Sequence, residues 1–194
     1  MDIPSDNNKR IARNTLMLYF RMLFTLIVSL YTSRIVLQVL GVEDYGIYNV
    51  VGGIITMFTF INGAMVSSTQ RYLNFELATG NDERLRNVFN TSLQIHALIS
   101  VIIIFLGETI GLWLLCEKLV IPESRMTAAI WVYQCSIVSC AINIMSAPYN
   151  ADIIAHEKMS AFAYISIFEV SLKLLIVYML LALPYDKLIV YAVL

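Results

Sequence analysis

Apolar residues follow one another almost without a break over residues 14–40, and the pattern returns over 46–70, 88–115, 126–150 and 160–183, with a further run starting at Lys187. About 20 consecutive apolar residues let an α-helix cross the hydrocarbon core of a bilayer, and runs this long read as membrane spans. The spacing therefore predicts an all-α fold: a polytopic transmembrane helix bundle occupying residues 1–194 as one unit, with five full spans and the start of a sixth. The polar connections differ in kind. Residues 41–45 read as a tight acidic turn, 71–87 as a long charged connection, 116–125 as a loop carrying Pro122, and 151–159 as another polar link. A helix from Lys187 to Leu194 rises only about 12 Å, short of the roughly 30 Å core, so the sequence reads as the front piece of a longer membrane protein.

Small and polar residues gather on one side of several predicted helices. At about 100° per residue, Asn49, Gly52, Thr56, Thr59, Gly63, Ser67 and Gln70 fall within an arc of roughly 80°. Asn14, Arg21, Thr25, Ser29 and Thr32 share a similar arc on the first run, and Ser136, Ser139, Asn143, Ser146, Ala147 and Asn150 share one on the fourth. Residues 97–106 are nearly all aliphatic and are expected to face lipid. Two readings of the stripes stand side by side. Small residues four apart, such as Thr59, Gly63 and Ser67, let helix backbones approach closely; alternatively, several stripes converge on a hydrated cavity. Pro148 removes a backbone donor and opposes the carbonyl of Ile144, which predicts a kink at the inner end of the fourth span.

Composition agrees with lipid as the solvent: 59% of residues are hydrophobic and 14% charged, with a mean hydropathy of +0.73. A net charge of -1 leaves no basic face for a phosphate backbone, so no nucleic-acid partner is expected. Lys9, Arg10, Arg13, Arg71, Arg84, Arg86 and Lys158 fall on the amino-terminal side, against Lys118, Arg125 and Lys187 on the other, which predicts a cytoplasmic amino terminus. Aromatic rings are placed for two interfaces, with Tyr45, Tyr48, Trp113, Trp131 and Tyr185 outside and Tyr19, Tyr72, Tyr149 and Tyr164 inside.

Charges within the apolar runs need partners, because an unpaired ion in hydrocarbon costs several kcal/mol. Glu169 and Lys173, spaced i, i+4 with the acid first, suit an ion pair on one face. Arg34 and Glu108 lie within about two turns of the outer boundary and read as snorkelling side chains. Arg21 shares its face with hydroxyls, and its guanidinium fork suits an anionic phosphate. Arg21, Arg34, Asn49, Thr56 and Asn143 are accordingly the candidate cavity residues, and Glu108 and Glu169 the candidates for ion coupling. Cys116, Cys135 and Cys140 lack metal-ligand spacing, and His96 and His156 lack metal partners, so structural roles are expected for all five and no metal or cofactor. No nucleophile elbow, phosphate loop or paired-carboxylate signature is present, so the chain does not read as an enzyme.

The run Leu40-Gly41-Val42-Glu43-Asp44-Tyr45-Gly46-Ile47-Tyr48, with Gly63 and Gln70-Arg71-Tyr72 beyond it, resembles the amino-terminal signature of polysaccharide and O-antigen flippases, relatives of the MATE drug exporters and the lipid II flippases. Arg13-Asn14-Thr15, Ala78-Thr79-Gly80-Asn81 and Ala147-Pro148-Tyr149 extend the likeness along essentially the whole chain. The resemblance implies the amino-terminal half of a bundle of two related halves around a cavity open alternately to each side of a bacterial inner membrane. Its cargo would be an undecaprenyl-diphosphate-linked oligosaccharide. Its partners would be membrane lipids, the missing carboxy-terminal half, and the glycosyltransferases or glycan polymerase that precede or follow export. A MATE-like ion-coupled exporter of small molecules and an inactive membrane fragment are the alternatives, and the first of these expects carboxylates rather than arginines toward the cavity. A membrane-embedded glycosyltransferase or polymerase expects large soluble loops, which the sequence lacks.

Overall fold

In a computed structural model, residues 12–58, 62–182, 184 and 186–193 are described in full, and residues 3–11 and 59–61 by their backbone. The expectations for the Lys9, Arg10, Thr59 and Tyr185 side chains and for Leu183 and Leu194 lie outside the described residues. Every element described is helical. Helix Ile3–Thr79 is broken at Gly41, whose φ of 80° and ψ of 172° no helix contains, giving α1 (residues 3–40) and α2 (residues 42–79). They are followed by α3 (Asp82–Glu117), α4 (Glu123–Ala155), α5 (Met159–Ala182) and α6 (Lys187–Val193). Four helices are long and apolar enough to cross a membrane when Ala12–Thr79 is taken as one. A positive φ at Gly41 costs an L side chain about 1–2 kcal/mol and glycine nothing, which fixes the point of reversal there.

The connections are shorter than the sequence suggests. The acidic turn expected over 41–45 is a single non-helical residue, and the long charged connection expected over 71–87 is helical except at Gly80 and Asn81. Gly80 ends α2 with φ 68°, and the Asn81 side chain caps α3 by accepting from the Arg84 amide at 3.0 Å. Charge in 71–87 marks solvated helix ends rather than a loop. Helix α4 continues through Pro148, which is fully buried, to Ala155.

Cross-helix contacts set the directions. Arg21 meets Ser166 and Tyr31 meets Tyr178, so α1 runs parallel to α5. Asp44 meets Arg125 and Asn62 meets Asn143, so α2 runs parallel to α4. Phe89 packs on Tyr149, Ser100 donates to the Ala141 carbonyl and Tyr133 donates to that of Gly107, so α3 runs antiparallel to α4. The core of α2 is Ile47, Val51 and Ile55, which join Val36 and Leu40 of α1 and Val132, Tyr133, Ile137 and Ile144 of α4. The residues expected to face lipid on α3 split by helical period: Ser100 and Ile103 are buried, and Leu98, Val101, Ile102 and Phe105 are exposed.

Two polar joints hold the bundle. Near the α2–α3 connection the hydroxyls of Thr69 and Ser92 are 2.9 Å apart, and His96, completely buried, places Nδ1 2.7 Å from the Ser92 carbonyl. The other ring nitrogen of His96, Nε2, is buried without a hydrogen-bond partner among the described residues. Replacing Ser92 with Ala strands the Thr69 hydroxyl in an apolar setting, and a loss of about 1–2 kcal/mol is expected, read as a lower melting temperature of the detergent-purified protein. An unchanged melt would show that the joint contributes nothing.

At the other end Arg125 of α4 donates to Asp44 of α2 and to Asp186 ahead of α6, both at 2.7 Å, and Asp186 also accepts from the Leu188 amide at 3.0 Å. One guanidinium thus ties together the starts of three parallel helices. Asp44 is 5% exposed, and burial pushes its carboxyl above the ordinary 3.8 against the pull of Arg125, with Asp186 and Glu43 adding to the rise. The folded state therefore holds this proton more tightly than the unfolded chain. Its stabilising contribution is complete below pH 3.8 and is lost as pH rises through the folded-state value, where Arg125 offsets the cost of the charged carboxylate.

Candidate substrate cavity

The polar faces of the helices do not all do the same thing. On α2 the stripe Asn49, Thr56, Gly63 and Ser67 is exposed, opposite the buried Ile47, Val51 and Ile55. A Cβ built at Gly52, Gly53 or Gly63 meets nothing within 4 Å. The small residues of α2 are therefore not in close packing contact within the described bundle. Asn49 turns its amide to the Tyr45 carbonyl at 2.7 Å, and Thr56 its hydroxyl to that of Gly53 at 2.8 Å. Asn62 donates to Asn143 at 3.0 Å, joining the α2 face to the exposed Ser139 and Asn143 of the parallel α4.

Five helices meet at a cavity of about 260 Å³ lined by Thr32 of α1, Tyr48 of α2, Ser139 of α4, Lys173, Ile176 and Val177 of α5, and Tyr191 and Ala192 of α6. The Thr32 hydroxyl is buried without a partner among the described residues. Tyr48 packs its ring 4.8 Å from that of Tyr191. The lining combines one ammonium with several hydroxyls, a set that donates hydrogen bonds to an anion. The ammonium is already engaged: Lys173 lies 2.8 Å from Glu169, in the i, i+4 geometry read from the sequence.

The two candidate arginines lie in different settings. Arg21 is half-buried between α1 and α5, with its guanidinium 4.6 Å from the Phe162 ring centre and one nitrogen 3.3 Å from the Ser166 hydroxyl. Arg34 is exposed and pairs with no described residue. Neither lines the five-helix cavity. Gln134 donates to the carboxylate of the exposed Glu108 at 3.1 Å. No group of three His, Cys, Asp or Glu side chains that could hold a metal occurs among the described residues, and the cysteines are all free.

Lys173 and Tyr191 are the residues sequence reasoning missed. The i, i+4 spacing of Lys173 from Glu169 points to an ion pair alone. Its position one turn beyond Glu169 on a face that also carries Ile176 and Val177 gave no sign of α1 and α4 arriving there. The Arg125 joint was also hidden, since Asp44, Arg125 and Asp186 are 81 and 61 residues apart. No family model matches the chain, and no curated protein or solved structure matches it.

Proposed function

We propose that this chain is part of a membrane flippase that carries a lipid-diphosphate-linked oligosaccharide across a bacterial inner membrane, with the amino terminus in the cytoplasm. In this reading the Gly41 reversal divides the first long helix into two crossings, giving five full spans and the start of a sixth. The supporting observation is the open polar face of α2, continued across the Asn62–Asn143 bond onto α4 and ending at the Thr32, Tyr48, Ser139 and Lys173 cavity. A diphosphate with its sugars cannot cross hydrocarbon unaided, so a wall of hydroxyls and amides with a cation at one end is what its passage needs. Glycosyltransferases that make the cargo and a polymerase that uses it would be the protein partners, and this chain would itself make and break no bonds.

The test is binding of a fluorescent short-chain polyprenyl-diphosphate disaccharide to the purified chain in nanodiscs. Saturable binding is expected, weakened about tenfold by Lys173→Gln, a loss of about 1.4 kcal/mol. Absent binding, or binding indifferent to Lys173→Gln, would refute the reading. The exposed Glu169 beside Lys173 favours a second reading, an exporter of small organic cations. That reading expects a lipophilic cation to bind and Glu169→Gln to abolish the binding.

A further inference from the structure

We propose that the groove between α2 and α3 beside Tyr72 binds an anionic glycerophospholipid of the surrounding membrane, with its phosphate at Arg71 and Arg86 and one acyl chain between the helices. Both helices mark the edge of the apolar layer. Residues 45–70 and 87–107 contain no Asp, Glu, Lys or Arg, so Arg71 is the first charged residue beyond the apolar segment of α2 and Arg86 the last before that of α3. The Thr69–Ser92 contact sets the register of these antiparallel helices. Three residues from it toward the Gly80–Asn81 turn, Tyr72 stands level with Phe89, whose ring packs 5.4 Å from that of Tyr149. Six residues from it, Phe75 stands level with Arg86. Aromatic rings with guanidiniums beside and beyond them are the order of a membrane–water boundary.

Two hollows meet at Ser68 and Tyr72, which line both. The first, about 360 Å³, lies between the helices from Tyr72 and Asn87 at the boundary to Met65 and Ile95, with Val88 and Thr91 along its wall. Its ends are seven residues apart on α2 and eight on α3, so at 1.5 Å per residue it reaches about 11 Å into the apolar layer. The buried hydroxyls of Thr69 and Ser92, which also line it, are taken up by each other, and the slot they leave is mainly apolar. The second hollow, about 630 Å³, follows α2 along Ser67, Arg71 and Phe75. A narrow apolar slot that opens into a cationic hollow at the boundary matches a lipid in both its parts, chain and head.

Charge complementarity selects the head. Neither Arg71 nor Arg86 pairs with a carboxylate among the described residues, and the Ser68 hydroxyl and the Asn87 amide have no described partner. The carboxylates of this end lie beyond the boundary: Glu76 accepts from the Thr79 hydroxyl at 3.3 Å, and Asp82 and Glu83 occupy the first turn of α3, where the helix dipole favours them. A guanidinium donates to two phosphate oxygens at once, and basic pockets between spanning helices hold anionic headgroups. A zwitterionic head would bring its own cation against the two arginines. The groove shares no residue with the five-helix cavity, so it does not rest on the flippase reading.

The test is native mass spectrometry of the purified chain in a neutral detergent, titrated with phosphatidylglycerol or with phosphatidylcholine of the same chain length. One phosphatidylglycerol should bind saturably, about tenfold more tightly than phosphatidylcholine. Arg71→Gln and Arg86→Gln should each weaken it about fivefold, whereas Arg84→Gln, the same loss of charge two residues farther from the apolar segment, should leave it unchanged within about twofold. Thr91→Trp, which fills the slot from its wall, should weaken both lipids. All four positions are exposed, so the lipid-free variants should melt with the wild type. Glycerol phosphate, a head without chains, should not compete. Equal affinity for the two lipids, equal losses in Arg71→Gln and Arg84→Gln, or undiminished binding in folded Thr91→Trp would overturn the proposal, and competition by glycerol phosphate would reduce the site to one for a free anion and overturn it too. No polyprenyl diphosphate is present, so failure of the flippase reading leaves this result unaffected.

Discussion

Arg125→Ala is expected to destabilise the bundle by roughly 3 kcal/mol, the low end for removing one partner of a buried ion pair because the arginine side chain is 34% exposed. The loss comes less from the missing attraction than from what remains. Asp44 is left almost fully buried with no basic neighbour, and its Oδ1 already lacks a partner among the described residues. Asp186→Asn should cost less, since Asp186 is 37% exposed and water can replace the guanidinium there. Arg125→Lys should fall between the two, because a single ammonium cannot fork across carboxylates that approach from different helices. Thermal melts of the four proteins in one detergent give the ranking. If Arg125→Ala melts with the wild type, the joint does not hold the helix ends.

Gly111→Ala carries the second large effect. A Cβ at Gly111 would collide with the Tyr133 hydroxyl and lie 3.1 Å from the ring carbon bearing it, so the ring must shift and its bond to the Gly107 carbonyl is strained or lost. Overpacking together with an orphaned buried carbonyl should cost about 2–4 kcal/mol. Tyr133→Phe alone should cost about 1–2 kcal/mol, from the stranded carbonyl. The double variant should be more stable than the sum of the singles implies, because removing the hydroxyl removes the closest clash. Strict additivity would mean that Tyr133 does not occupy the space Gly111 leaves open.

The elements of the bundle were legible in the sequence because lipid imposes a rule with a single period: each crossing must be long, apolar and helical. The helix ends were less so. Charge in 71–87 looks like a loop in a hydropathy profile, yet only Gly80 and Asn81 leave the helix, because charged residues extend helices into water without breaking them. The α2 stripe falls on one face, as its period implies; small residues suit both packing and a cavity wall, and within the described bundle the space around Gly52 and Gly63 is empty. Arg21 and Arg34 share a helix and a charge but not a setting: α5 supplies Phe162 and Ser166 to the first and nothing to the second. That difference depends on a helix 145 residues away, which no local pattern encodes. The same holds for Lys173, whose cavity exists only because Thr32 and Tyr48 are folded together across Gly41.

Water in contact with the polar face of α2 is the claim on which the cavity rests, and cysteine labelling in the membrane tests it directly. In a background with Cys116, Cys135 and Cys140 replaced, single cysteines at Thr56, Ser67 and Asn143 are compared with cysteines at Leu98, Val101 and Ile102 of α3, all six positions being exposed in the isolated bundle. A water-soluble maleimide should modify the first three rapidly and leave the second three unreacted, since a thiol facing acyl chains has no water to ionise into. Equal protection of both sets would mean that the polar stripe is sealed against lipid or protein, and the cavity account would be contradicted.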